Sequence, residues 1–242
     1  MFVRRLGIFA VLLAVSVVAV GCAIRSISNS GYPGDSRSSN PYYKGELSEL
    51  DVLGAPESQK ISEEDIRKAL EGKQAVKLQK GESMLVIQSG ALSPDESMLD
   101  ELSKHFRPVA FAGIPNANRS AEGEPYSKKL RLVAAQGGYA HILCYWGVLE
   151  TAQEDKVTKA VSWVPIAGAF VPDESQRMRI RLRAGLIDVA SGRWSMLTPE
   201  PIEDSTLSSQ LTRVRSDQKQ VELLKAKGYA ALASELSRYF VQ

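Results

Sequence analysis

The sequence predicts a single α/β (α+β) domain, a mixed sheet packed by helices and closed by a C-terminal helix. Three observations carry this. Helical and strand-like segments alternate over residues 62–149, consecutive strand-like runs follow as far as Leu197, and helical spacing dominates the last thirty residues. The 242 residues are 44% hydrophobic and 24% charged, an ordinary globular composition with length for one large domain. No internal repeat interrupts it.

The first helix is signalled at Ser62-Glu63-Glu64-Asp65, where the serine can cap and the acids sit at the positive helix end. Ile61 and Ile66 fall at the two positions of a hydrophobic staple. Val76-Lys77-Leu78 reads as a short strand, and Ser83–Gln88 as a strand buried on both faces. Ser93-Pro94-Asp95-Glu96 then combines a capping serine, a proline at the first helical position and a glutamate at the third. Met98, Leu99, Leu102 and Phe106 recur behind it at helical spacing. A strand at Pro108–Ala112, a polar loop at Asn116–Tyr126 and a helix at Ser127–Gln136 follow, the helix presenting Leu130, Val133 and Ala134 and stopping at Gly137-Gly138.

Tyr139–Leu149 is the most strand-like run of the chain. Further strands are expected at Val157–Val164, Met178–Val189 and, after the turn Ala190-Ser191-Gly192, Trp194–Leu197. Leu211, Val214, Val221, Leu224, Leu232, Leu236 and Phe240 argue for the final helix, with breaks allowed near Ser216 or Gly228.

The N-terminus has a different logic. Arg4 and Arg5 precede an uncharged apolar run from Ile8 to Val20, then Gly21 and Cys22. That is the order of a secretory signal with a small-residue cleavage site. Ala19-Val20-Gly21-Cys22 resembles the lipobox of bacterial lipoproteins, in which the cysteine is diacylated and becomes the new N-terminus. An uncleaved transmembrane helix is the alternative, since Leu6–Ala23 approaches spanning length. The Gly-Cys junction and the polar run Arg25–Ser30 argue against it. Residues 1–21 are therefore expected to be the signal peptide, 22–45 a flexible tether poor in aliphatic side chains, and 46–242 the periplasmic domain. Cys22 is the expected lipidation site, and the bilayer the first expected partner, through N-terminal acyl chains. In enteric-type bacteria an Asp after the cysteine resembles an inner-membrane retention signal. Ala23 stands there instead, which points to an outer-membrane anchor facing the periplasm.

Three pieces together resemble a known pattern: the lipobox, the segment Ala134–Leu143, and Arg179–Trp194 with its Leu186-Ile187-Asp188-Val189-Ala190-Ser191-Gly192 hairpin. They are similar to the curli-secretion-type periplasmic lipoproteins, the penicillin-binding-protein-activator lipoproteins and the N-terminal domain of the Tol-system propeller protein. The resemblance spans about Ser83 to Phe240. It implies a small anticodon-binding-like domain that works by protein contacts, without cofactor or catalysis.

Residue chemistry points the same way. Net charge is +2 with the signal arginines included, so the mature chain lacks an electrostatic footprint for nucleic acid. With Cys22 lipidated, Cys144 has no disulfide partner. His105 closes a predicted helix, and His141 and Cys144 lie three apart on a strand and so on opposite faces, which disfavours a metal site. Nucleophile elbows, phosphate loops and zinc-protease motifs are missing from the sequence.

Two features suit partner binding. Arg177, Arg179, Arg181 and Arg183 alternate along one strand and share a face. Trp163–Pro172 joins two strands with an apolar connection that includes Ile166 and Phe170. The favoured reading is a non-catalytic binding or adaptor module for an envelope protein or cell-wall component. The second is a subunit of a secretion or pore-type outer-membrane assembly, with Val157–Val164 and Met178–Val189 as a membrane-inserting hairpin; an oligomer is allowed by the sequence and required by that reading. A hydrolase using paired carboxylates comes third. The arginine row also has a bland explanation, a solvated sheet face with acids on neighbouring strands.

Overall fold

The computed structural model describes residues 25–30, 40, 42–55, 60–71, 75–115, 124–154, 161–165, 175–207 and 213–241. Cys22, Ile166, Phe170 and residues 116–123 of the polar loop expected at Asn116–Tyr126 lie outside them. In chain order the elements are α1 (Glu49–Leu53), α2 (Glu63–Glu71), β1 (Ser83–Gln88), α3 (Glu96–Ser103), β2 (Arg107–Phe111), α4 (Tyr126–Gln136), β3 (His141–Glu154), β4 (Val161–Pro165), β5 (Ser175–Asp188), β6 (Trp194–Leu197), β7 (Ile202–Leu207) and α5 (Arg213–Phe240). The class is the expected one, a mixed α/β domain with a C-terminal helix.

Two 14-residue strands, β3 and β5, form an antiparallel spine pairing His141 with Asp188 at one end and Thr151 with Met178 at the other. Each spine strand serves two partners on its outer edge. β3 pairs β1 over residues 141–145 and β4 over 150–154. β5 pairs β6 over 184–187 and β7 over 175–180. The sheet is thus β2-β1-β3-β5-β6 at one end and β4-β3-β5-β7 at the other. β4 and β5 lie on opposite edges of β3 and do not pair with each other, so the expected hairpin between these two strands does not form.

Parallel pairing of β1 with β2 and with β3 demands crossovers, which α3 and α4 supply. The first crossover runs from β1 to β2 and the second from β2 past β1 to β3, in the opposite direction, and the common right-handedness of such units puts their helices on opposite faces. On one face Met98 and Leu102 of α3 and Val221, Leu224, Leu232 and Leu236 of α5 pack on Met84, Val86, Leu143, Leu149, Ile180 and Leu182. On the other, Leu130 and Ala134 of α4 and Val52 of α1 cover Leu85, Ile87, Ile142, Cys144, Trp146 and Ile187. α5 runs unbroken through Gly228, whose missing side chain lets it approach β5: a Cβ there would lie 3.0 Å from Leu182 Cδ1.

Local differences from the sequence reading have physical causes. α2 begins where expected, with Ser62 Oγ accepting from the Asp65 amide at 3.2 Å. Its staple residues Ile61 and Ile66 are nevertheless exposed, and the helix buries no residue. Val133 of α4 is 43% exposed, because only the stripe through Leu130 and Ala134 meets the sheet. Leu78 makes one bridge with Val241 rather than a strand. α1 and β7 have no counterpart in the sequence reading.

The largest difference concerns the segment expected to be tether. Its described residues 25–30 are part of the domain. Ser26 bridges Val148 in antiparallel sense, the Leu149 amide donates to the Arg25 carbonyl at 3.0 Å, and Ile27 is fully buried. The wedge fits because β3 has glycine at position 147: a Cβ there would lie 2.8 Å from Ile27 Cδ1 and 2.6 Å from Leu182 Cδ2.

Candidate functional site

Among the described residues, the helices of the α1–α4 face pack on the sheet as far as Trp146. Beyond it the same face carries Val148 and Glu150 on β3, Trp163 on β4, and the arginine row on β5. Alternation puts Met178, Ile180, Leu182 and Ala184 into the core, leaving Arg177, Arg179, Arg181 and Arg183 on the far side. The register places Arg179 opposite Glu150, Arg181 opposite Val148 and Arg183 opposite Trp146.

The four arginines are not equivalent. Arg179 donates from Nε to Glu150 Oε2, and its guanidinium carbon sits 4.2 Å from the centre of the Trp163 ring. Both partners of that ion pair are largely buried, with side-chain exposures of 13% and 11%. Arg181 reaches the same carboxylate at 3.6 Å while staying 42% exposed, and Arg183 binds Glu49 of α1 at 2.7 Å with 51% exposure. Glu203 of β7 lies opposite Arg179 on its other side. Arg179 is therefore a structural cation that holds Trp163 and Glu150 together, whereas Arg181 and Arg183 offer charge outward. Sequence reasoning missed Glu150. Its signal was an acid continuing the Trp146–Val148 alternation along the strand.

A second polar cluster lies on the other side of β1, and the sequence reading missed it too. Asp95 precedes α3 but makes no side-chain cap bond. Its Oδ2 instead accepts from Lys225 Nζ at 2.9 Å and from the Tyr229 hydroxyl at 2.6 Å. Lys225 also donates to the Ser30 carbonyl at 2.9 Å. The Tyr145 hydroxyl donates to Gln88 Oε1 at 2.6 Å, Gln88 Nε2 to Ser28 Oγ at 3.0 Å, and Ser28 Oγ to the Ser89 carbonyl at 2.5 Å. Burial holds the Tyr145 and Tyr229 hydroxyls well above their usual range, so they act as neutral donors. The cluster fastens residues 26–30 to β1 and α5.

Glu46 borders this cluster. Tyr43 donates to its Oε1 at 3.2 Å, while its buried Oε2 has no hydrogen-bond partner among the described residues. Burial raises its pKa, against the opposing pull of bonds from Ser26, Ser89 and Tyr43. A carboxyl with a raised folded-state pKa contributes stability that is full below its unfolded pKa and lost as pH rises through the folded value. Glu46→Gln is accordingly expected to gain on the parent protein as pH rises from about 4 to about 7. Urea titrations at both pH values measure this, and a difference independent of pH contradicts it.

Groups with catalytic identities are engaged structurally. His141 Nδ1 lies 2.6 Å from Glu82 Oε1, and its Nε2 lies 3.8 Å from Asp188 Oδ2. Ser191 Oγ donates to Asp188 rather than facing the imidazole, which makes this a turn-pinning cluster. Cys144 is fully buried on the opposite face of β3, and burial, then Glu46 and Glu49, push its thiol well above the usual range. Among the described residues no group of His, Cys, Asp and Glu is placed to hold a metal ion, and no helix is long and apolar enough to cross a membrane.

The model of the YafT bacterial lipoprotein family matches residues 48–239. No curated protein matches the chain. Solved structures similar to the chain include the following three, each at a low TM-score. A point variant of the PelC dodecamer from Paraburkholderia phytofirmans is 12% identical, with 66% of this chain and 95% of that one covered and a TM-score of 0.26. A putative neuraminyllactose-binding hemagglutinin homolog from Helicobacter pylori is 7% identical, with 69% and 89% covered and a TM-score of 0.27. The hypothetical protein CT253 from Chlamydia trachomatis is 14% identical, with 64% and 99% covered and a TM-score of 0.28. Likenesses this distant carry no argument about activity.

Proposed function

The chain belongs to the YafT bacterial lipoprotein family, and we propose that it is held by acyl chains on Cys22 at the periplasmic side of the outer membrane, where it acts as a non-catalytic binding module. The observation that carries this reading is the sheet face beyond Trp146. It presents Trp163 with Arg177, Arg179, Arg181 and Arg183, without a covering helix among the described residues. Half-exposed arginines around an aromatic anchor suit an envelope protein or cell-wall component bearing acidic groups. The likeness of its motifs to those of curli-secretion-type and penicillin-binding-protein-activator lipoproteins supports the same reading. Ile166 and Phe170 follow Trp163 in sequence and are proposed to extend this surface.

The test separates anchor from rim. Trp163→Ala is expected to weaken partner capture by about 2 kcal/mol or more, as a central aromatic does. Arg181→Gln with Arg183→Gln is expected to cost less and to flatten the salt dependence, because rim charges act chiefly on encounter. Arg179 is the wrong choice for this purpose, since losing it takes the closest cation from the buried Glu150 and costs about 3 kcal/mol of fold stability. A photo-crosslinking side chain at position 181, used in intact cells, identifies the partner, with position 190 at the far end of β5 as control. If folded Trp163→Ala and arginine variants give the same adducts at the same yield, the face is structural only.

A further inference from the structure

We infer that Arg25–Ser30 straps the domain down on the bilayer, so that the sheet edge formed by β3 and β4 lies against lipid headgroups instead of standing off on a long leash. This rests on the lipid attachment at Cys22 proposed above.

The spine strand β3 has an outer edge shared by two partners. β1 ends there with Gln88 opposite Tyr145, and β4 ends with Pro165 opposite Glu150. The interval between them is filled by the N-terminal segment, through the Ser26–Val148 bridge and the Leu149–Arg25 hydrogen bond. From Glu150 onward that edge belongs to β4, so Arg25 is the last residue of the segment that β3 can pair. The segment is fixed behind that point. Ile27 is buried in the α5-side core, Ser28 is bonded to Gln88 and Ser89, and the Ser30 carbonyl is held by Lys225. Releasing it would empty part of the core.

Chain length then sets the distance. Only three residue steps separate Cys22 from Arg25, and a fully extended chain spans about 3.5 Å per step, so the acyl-bearing residue lies within about 11 Å of Arg25. The strand end at Asp188 is about 23 Å further along the spine than the Val148–Arg181 pair. The bilayer is thus approached by the side of the molecule where Ser26, Val148 and Arg181 run in one cross-strand row.

The experiment uses the acylated full chain in vesicles of phosphatidylethanolamine and phosphatidylglycerol carrying a paramagnetic headgroup. In a Cys144→Ala background, Arg181→Cys or Ala190→Cys receives a fluorophore. The expected result is severalfold stronger quenching at position 181 than at 190. Inserting about ten Gly and Ser residues between Ile24 and Arg25 lengthens the reach and should abolish that difference. Equal quenching at the two positions, or a difference that survives the insertion, overturns the strap while leaving the anchor intact. Fatty-acid labelling with and without Cys22→Ser tests the anchor itself, and label that persists in Cys22→Ser removes both.

Discussion

Asp95→Ala is expected to be among the most damaging single substitutions in the domain, lowering stability by about 3 to 5 kcal/mol. The lysine it abandons has a side chain only 9% exposed, left with the Ser30 carbonyl as its acceptor among the described residues. Tyr229, fully buried, loses the acceptor for its hydroxyl. The damage comes from stranding a charge, and a double substitution tests that cause. Asp95→Leu combined with Lys225→Met removes both charges and is expected to recover most of the loss, because apolar replacement of a buried pair is often neutral or better. Urea unfolding of the Cys22→Ser protein measures both. A single variant within about 1 kcal/mol of the parent would mean that solvent reaches Lys225 freely.

Ile27→Ala is expected to cost about 2 to 5 kcal/mol, the range for truncating a large aliphatic side chain in a packed core. Ile27 is fully buried, in contact distance of the space that Gly147 leaves open. Ile61→Ala, in a residue 57% exposed, serves as control and should fall within about 0.5 kcal/mol of the parent. The contrast matters because Ile27 is five residues from the proposed lipid attachment site. Were 25–30 a free leash, both substitutions would be equally silent.

What could be read from the sequence follows from where the information sits. β1 and β6 begin and end where the sequence reading put them, because an apolar run bounded by turn residues is a local signal. β7 was invisible since Ile202-Glu203-Asp204-Ser205-Thr206-Leu207 is mostly polar and joins the sheet through its backbone pairing with β5. Period two alone puts the arginine row on its correct face. Its differentiation was not legible, because Glu150 stands 29 residues before Arg179 and meets it only through strand register. The bland expectation of acids on neighbouring strands is met at Glu150, which pairs with Arg179 and is reached by Arg181, whereas Arg183 takes its acid from α1; Arg181 and Arg183 still keep about half their surface.

Residues 25–30 escape a sequence reading for a related reason. Serines and asparagines count as loop formers when apolar burial is the criterion. Here Ser26, Ser28 and Ser30 are buried because hydrogen bonds to Gln88, Ser89 and Lys225 satisfy the segment. Asp95 reads as part of a helix start, which it is, but its carboxylate is turned to α5 across 130 residues of sequence. Long-range polar pairing of this kind leaves no periodicity to detect.

The Leu149 amide is the sharpest probe of whether the N-terminal segment is built into the sheet. In native-state hydrogen exchange of the Cys22→Ser protein, this amide is expected to be protected to the same degree as the paired amides of β3 on either side of it, because its acceptor is the Arg25 carbonyl. Exchange as fast as that of an unpaired edge amide would refute the strap, and would return Arg25–Ser30 to a leash lying outside the fold.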